Sequence, residues 1–487
     1  MSRKTWIAVG AVVVLLGVGV GAVAKRAGSG AAGPVDVSTP RAAPGTDRAS
    51  SAAPERADRA ERDGAAVPHG SPGVGSSPAA GEADAALAEA ESEPERTPVV
   101  WAEPTEPSPV EPVPMEARVP KPEAVRGIYV GAWSVGSPGR LEQLIALADE
   151  TEINAFVIDV KDVTGEVSHA SRVPLARQIG ATPQVKIADL RGTLARLREH
   201  GIYPIARIVV FKDPLLATAR PEWAIERDDG TIWEDNTGVP WVDSYNRNVW
   251  EYNIELAREA VALGFSEIQW DYIRFPDVPG SYLVEAVYPA QEGRSKTAAI
   301  REFMAYTRER LADLEVPVTA DVFGITTSTR LDIGIGQVWE EMSDVVDVLL
   351  PMVYPSHYPD GSWEYENPNA APYQIVKRAM DDAVARSLLI DGAAAIRPWL
   401  QAFSMGEPEY GPRHVRAQID AVYDAGLREW ILWSPGVRYN REALASESGV
   451  EPWFAGMGEL LYEEGLPSGP AVDEPLGSPA DTAGSGR

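Results

Sequence analysis

Gly264-Phe-Ser-Glu-Ile-Gln-Trp-Asp-Tyr-Ile-Arg-Phe-Pro276 reads as one strand, dense in aromatic and β-branched residues and bounded by glycine and proline. Amphipathic stretches flank it at 249–263 and 298–314, so the chain passes helix, strand, helix. Outward from this unit the alternation repeats. Strand-like runs fall at 126–134, 154–162, 203–213, 267–276, 317–324, 346–356, 397–404 and 429–435, with helical stretches at 141–150, 189–200, 373–387, 415–425 and 441–454. Such regular alternation implies parallel pairing through right-handed crossovers. Eight units in about 330 residues predict an α/β fold, a TIM (β/α)8 barrel, rather than an open sheet. No glycine-rich dinucleotide or phosphate loop follows the first strand.

In a barrel one face of each strand meets the helices and the other fills the interior. Along 267–275 the alternation groups Glu267, Gln269 and Asp271. In Asn154-Ala-Phe-Val-Ile-Asp-Val-Lys-Asp162 it sets Phe156, Ile158 and Val160 against Val157, Asp159 and Lys161. In 203–213 it groups Arg207, Phe211 and Asp213, and in 317–324 it groups Thr319 with Asp321. Tyr354 and Gln401 extend the set from the sixth and seventh strands. Burying so many polar groups is costly unless they bond to one another or to a ligand. Each has a plain structural alternative: Asp159 with Lys161 as an internal ion pair, Arg207 neutralising a deep carboxylate. Together, near the upper ends of four or more strands, they predict a site. The long segments 163–188, 214–247 and 277–294 all follow strands, the side on which barrel sites are built. The second of them carries Trp223, Trp233, Trp241 and Tyr245, which either stack on sugar rings or pack the loop on itself.

The composition narrows the chemistry. Among 487 residues there is no cysteine, which removes thiol catalysis, disulfide scaffolding and thiolate zinc sites. With 72 acidic against 44 basic side chains the net charge is −28, an unsuitable balance for a nucleic-acid partner. The five histidines (His69, His169, His200, His357, His414) are scattered and predict no metal site, and no serine nucleophile elbow is present. Carboxylates remain, and paired carboxylates are the tools of glycoside hydrolysis. Asp271, at the mouth of the fourth strand, is the candidate nucleophile, and Asp321, one strand over, the candidate general acid. Asp159, Lys161, Arg207, Asp213, Gln269, Arg274, Tyr354, His357, Gln401 and Trp433 are candidate substrate-binding residues. The seventh strand ends without a carboxylate, and Glu407 lies just beyond it. No cofactor is required. Two rival readings keep the same residues: a catalytically silent barrel that binds glycan or scaffolds the envelope, and a Schiff-base lyase using Lys161.

Ahead of the barrel, Arg3 and Lys4 precede an apolar run at 6–24 that ends Ala22-Val23-Ala24. This reads as an export signal or, at 19 residues, as an uncleaved anchor tethering the chain to a membrane. Either predicts an exported protein, periplasmic, cell-envelope or extracellular. Residues 25–123 hold 16 of the 41 prolines and one aromatic, Trp101, and read as a disordered tether. The barrel is expected over 124–465, followed by a disordered tail at 466–487. Residues 124–465 carry net −21, which favours a polymer bearing positive charge, such as an amino-sugar polymer.

The runs Arg126-Gly-Ile-Tyr129, 154–162, Gly201-Ile-Tyr-Pro-Ile-Ala-Arg-Ile-Val-Val-Phe-Lys-Asp213 and 264–276 resemble a bacterial glycoside hydrolase domain family of unassigned activity, over roughly 125–455. The chain is also distantly similar to barrels of the α-amylase/α-galactosidase superfamily. That resemblance implies a nucleophilic Asp ending the fourth strand, which maps onto Asp271, and gives Asp321 weaker support. The fourth strand reads Gln-Trp-Asp where the family pattern implies Gln-Phe-Asp. The function expected is hydrolysis of an envelope or extracellular polysaccharide.

Overall fold

A computed structural model describes residues 112–445. The apolar run at 6–24, most of the expected tether, the tail, and the end of the helix expected at 441–454 lie outside the described residues.

The strands are β1 Arg126–Val130, β2 Ala155–Lys161, β3 Tyr203–Val209, β4 Glu267–Asp271, β5 Val318–Phe323, β6 Val348–Val353, β7 Ala395–Ile396, β8 Trp399–Gln401 and β9 Trp430–Trp433. All pair in parallel, β1 lies between β2 and β9, and a β5–β6 pairing closes the ring. The chain is therefore a TIM barrel. β7 and β8 share one barrel position, both running beside β6. Pro398 separates them because it has no N–H to give the ladder.

Helices Pro138–Glu150, Leu190–Glu199, Arg247–Leu263, Lys296–Arg310, Pro372–Ser387 and Pro412–Asp424 stand between strands. Their starts follow from local chemistry. Asp189 accepts from the Gly192 N–H and Ser295 from the Ala298 N–H, satisfying donors that a helix end leaves open. Pro138, Pro372 and Pro412 occupy first-turn positions where no N–H is needed. The β5–β6 connection carries only short turns, Gly324–Thr327 and Trp339–Met342. Among the described residues no helix is long and apolar enough to cross a membrane.

Two apolar layers result. Outward-facing strand residues such as Phe156, Ile158 and Trp270 pack against the helices, with Trp270 edge-on to Phe303 at 5.6 Å. The tryptophan that departs from the family pattern thus faces the helical layer, where its truncation to Ala would cost about 3–5 kcal/mol. Inside the barrel, Ala155, Val157, Tyr203, Ile205, Val348 and Leu350 form a second cluster, joined by Val119 and Val125.

Val119 corrects the expected tether boundary. Residues 112–123 pack under the barrel: Val113 N–H donates to the Ala262 carbonyl, Arg118 Nη1 to that of Leu314, and Ser266 Oγ to that of Val119. Beside them Arg397, wholly buried, pairs with Glu267 at 2.5 Å and Glu429 at 2.8 Å. Lys121 reaches Glu429 at 3.3 Å. Glu267 therefore belongs to the floor of the barrel.

Candidate active site

Arg207, on β3, is the hub. Its Nη1 donates to Asp159 Oδ1 on β2 at 2.5 Å, while Nε and Nη2 both donate to Asp271 Oδ2, at 2.9 and 2.5 Å. Strand register produces this meeting. Asp159 is level with Arg207, Arg207 with Gln269, and Gln269 with Thr319. Asp271 and Asp321 each stand two residues above that level, on adjacent strands. Gln269 Nε2 donates to both Asp321 oxygens at 2.9 Å, and Trp399 Nε1 donates to Oδ1 at 2.7 Å. The structure thus brings Asp159, Arg207, Gln269, Asp271 and Asp321 together.

Their environments differ. Asp271 receives, besides the guanidinium, the Tyr272 N–H on Oδ1 at 2.6 Å. Tyr272 has φ 53°, in the left-handed region, so the chain turns sharply off β4 to aim that N–H. A non-glycine residue there stores about 1–3 kcal/mol of backbone strain, of the kind that gathers at functional sites. Asp321 is almost wholly buried, and its carboxyl is pushed well above the usual range, by desolvation first and then by the negative charge of Asp271. Burial also raises Asp159, against the opposing pull of Arg207 and the Tyr129 hydroxyl.

Two aromatic walls border the carboxylates. On β1, Tyr129 donates its hydroxyl to Asp159 Oδ2 at 2.5 Å and packs on Trp433 with ring centroids 4.2 Å apart. Trp433 lies 5.5 Å from the Arg207 guanidinium carbon and meets Trp399 edge-on. Beyond β6, Tyr354, His357 and Phe403 make mutual edge contacts at 5.2–6.1 Å. Desolvation lowers His357 to about 4, which leaves it neutral at pH 7. Gln401 is buried, but its amide is occupied by Ser356 N–H, the Phe403 carbonyl and Asn369, so it braces the loops after β6 and β8.

Lys161 and Asp213 lie elsewhere. A register shift between Asp159 and Lys161 sets Lys161 level with Ile208, breaking the two-residue alternation. Lys161 Nζ instead meets Asp213 at 2.6 Å, both side chains fully buried, and lies 5.1 Å from the Tyr252 ring on the helical layer. β3 ends at Val209, so Asp213 is free of the strand's alternation and caps the helix Pro214–Ala219 through the Leu216 N–H. Phe211 likewise leaves the interior face and packs edge-on against Phe303. Gly165 crosses above Asp213 with φ +82°, and a Cβ there would stand 2.1 Å from Asp213 Oδ1. Arg274 lies over Tyr272, Trp241 and Phe323. Glu407 is exposed. Of the loop aromatics, Trp233, Trp241 and Tyr245 are buried and pack the loop.

Sequence reasoning passed over Tyr129 and Trp399. Both were signalled: Tyr129 alternates with Gly127, and Trp399 stands between Arg397 and Gln401 on one strand face. Among the described residues no three acidic or histidine side chains form a group that could hold a metal ion.

The chain was compared with known proteins. No curated protein matches it. A hypothetical protein from Ruminiclostridium thermocellum is 41% identical over 40% of this chain and 97% of its own, with a TM-score of 0.37. The PgaB (BpsB) glycoside hydrolase domain from Bordetella bronchiseptica is 15% identical over 66% of this chain and 99% of its own, TM-score 0.46. The glycoside hydrolase domain of PelA from Pseudomonas aeruginosa is 12% identical over 66% and 97%, TM-score 0.38. Residues 127–439, which hold every strand from β2 to β9 and nearly all of β1, match the family described as "Putative glycosyl hydrolase domain", and the chain belongs to that family.

Proposed function

We propose that this barrel hydrolyses glycosidic bonds in a polysaccharide of the cell envelope or extracellular matrix, with Asp271 as nucleophile and Asp321 as general acid. One observation carries the reading. Two carboxyl groups stand at matching heights on adjacent strands in opposite surroundings, Asp271 clasped by a guanidinium and a backbone N–H, Asp321 buried and driven toward its protonated form. Carboxyls whose environments differ in this way divide into base and acid roles. In the first step a carboxylate oxygen of Asp271 bonds to the anomeric carbon as the C–O bond to the leaving sugar breaks. Asp321 delivers its proton to the departing oxygen. In the second step Asp321 takes a proton from water, the water oxygen bonds to the anomeric carbon, and Asp271 is released. Arg207 and Gln269 orient the two carboxyls, and Trp433 and Tyr129 offer aromatic faces to the sugar. The apolar run at 6–24 supports an exported setting.

The test is a panel of bacterial envelope polysaccharides treated with the full chain and its Asp271→Asn form. Reducing ends should appear with the first and fall by at least about 10³-fold with the second. Equal release by both overturns the assignment of Asp271. Binding without release by either supports a catalytically silent glycan-binding barrel.

A further inference from the structure

A pair of cations stands beside the proposed nucleophile, in a chain whose net charge is −28. Lys212 follows β3 and Arg274 follows β4, and both lie on the rings of Trp241 and Tyr272. Lys212 Nζ is 5.4 and 5.9 Å from the two centroids, and Arg274 Cζ is 5.2 and 4.8 Å from them. Arg274 also stacks over Phe323 at 4.8 Å. Tyr272 is the residue whose N–H holds Asp271, so the pair packs on the residue next in sequence to the proposed nucleophile.

The two cations share a single ion-pair partner among the described residues, Asp235 beside Lys212. Asp235 approaches Lys212 only to 3.6 Å. Its oxygens are already committed to the N–H groups of Thr237 and Val239, the Thr237 hydroxyl and Trp241 Nε1. Arg274 gives one N–H to the Phe275 carbonyl, interacts with the Tyr272 hydroxyl, and makes no ion pair within 4.0 Å among the described residues. Asp277 feels its charge without such a contact. A guanidinium has five N–H donors, so one that spends few of them on neighbours is suited to grip a planar anion. Burial lowers Lys212, Asp235 opposes that shift, and the charge of Arg274 adds to it, so the two cations feel one another.

We infer that Lys212 and Arg274 form a subsite for a carboxylate borne by the substrate's sugar, so that the preferred polymer is anionic next to the cleaved bond. The net −21 of residues 124–465 gives the opposite expectation, an amino-sugar polymer, because it averages over charges remote from the mouth. The carboxylate could be that of a uronic acid or of a lactyl ether on an amino sugar. The inference rests on the glycan-active reading of the same site.

The test is calorimetric binding to the full-length Asp271→Asn protein. Tetragalacturonate is compared with its carboxyl-reduced form, and an N-acetylmuramic-acid-containing glycan fragment with chitotetraose. At least one carboxylated chain should bind about tenfold or more tightly than its neutral counterpart, and raised salt should narrow the gap. Adding Arg274→Gln or Lys212→Met should bring that ratio toward one, while Arg274→Lys should keep part of it. Circular dichroism of each variant confirms folding. A ratio near one in the parent, a ratio unchanged in both folded variants, or no binding of either carboxylated chain overturns the subsite. If the wild-type chain leaves a tightly bound carboxylated chain uncut, the hydrolase reading fails while the subsite stands.

Discussion

At the scale of single residues, the proposed role of Asp321 as general acid sets stability against activity. An unfolded Asp titrates near 3.9, whereas the folded group is displaced well upward. The folded chain therefore keeps a proton that the unfolded chain has lost. The associated stability is complete below about pH 4 and disappears as pH rises through the folded value, at about 1.4 kcal/mol per unit of displacement. Asp321→Asn keeps an oxygen for Trp399 and Gln269 without the buried charge. It should melt above the wild-type protein at pH 7 and level with it at pH 4, while turnover falls by about 10²–10⁴ and the alkaline limb of the pH profile disappears. A variant less stable at pH 7 would contradict a protonated Asp321. Much of this cluster was legible in the sequence, because Asp159, Arg207, Gln269, Asp271 and Asp321 all lie within stretches that keep a two-residue period. Lys161 and Asp213 were not, since one follows a bulge and the other lies beyond the end of its strand. A bulge leaves no mark in the pattern of residue types.

At the scale of elements, the segments after β3 and β4 act as one piece of scaffold. Glu226 bridges to Val287, Trp233 Nε1 donates to the Tyr282 carbonyl, and Asp243 accepts the N–H groups of Tyr245 and Ala290. Asp243 is fully enclosed, and burial drives its carboxyl up to about 7. By the same linkage its contribution is whole below about pH 4 and is lost as pH climbs through about 7, a change of up to about 4 kcal/mol. Hydrogen exchange across 214–247 and 277–294 should accelerate between pH 5 and 8 beyond the intrinsic chemical rate. In Asp243→Asn that dependence should flatten, and an unchanged slope would place its origin elsewhere. Strand and helix positions could be read from periodicity, but this join between loops could not. It depends on one carboxylate meeting an amide 47 residues away, and no local pattern encodes that distance.

For the molecule as a whole, the barrel begins earlier than its composition suggests. Residues 112–123 look like tether, since proline and charge dominate them, yet Val119 enters the interior and Lys121 joins the buried Arg397 network. A chain starting at 124 should be less stable than one starting at 112 by about 3–5 kcal/mol, from one buried valine and several lost hydrogen bonds. Paired denaturant melts would measure the difference, and coincident curves would show that the segment merely rests on the surface. The closed floor also bears on traffic. With Glu267, Arg397 and Val119 filling the end opposite the carboxylates, that end of the barrel is closed. On the proposed reading a polymer is then grazed across the opposite end rather than threaded through, and each fragment leaves by the side on which its successor arrives.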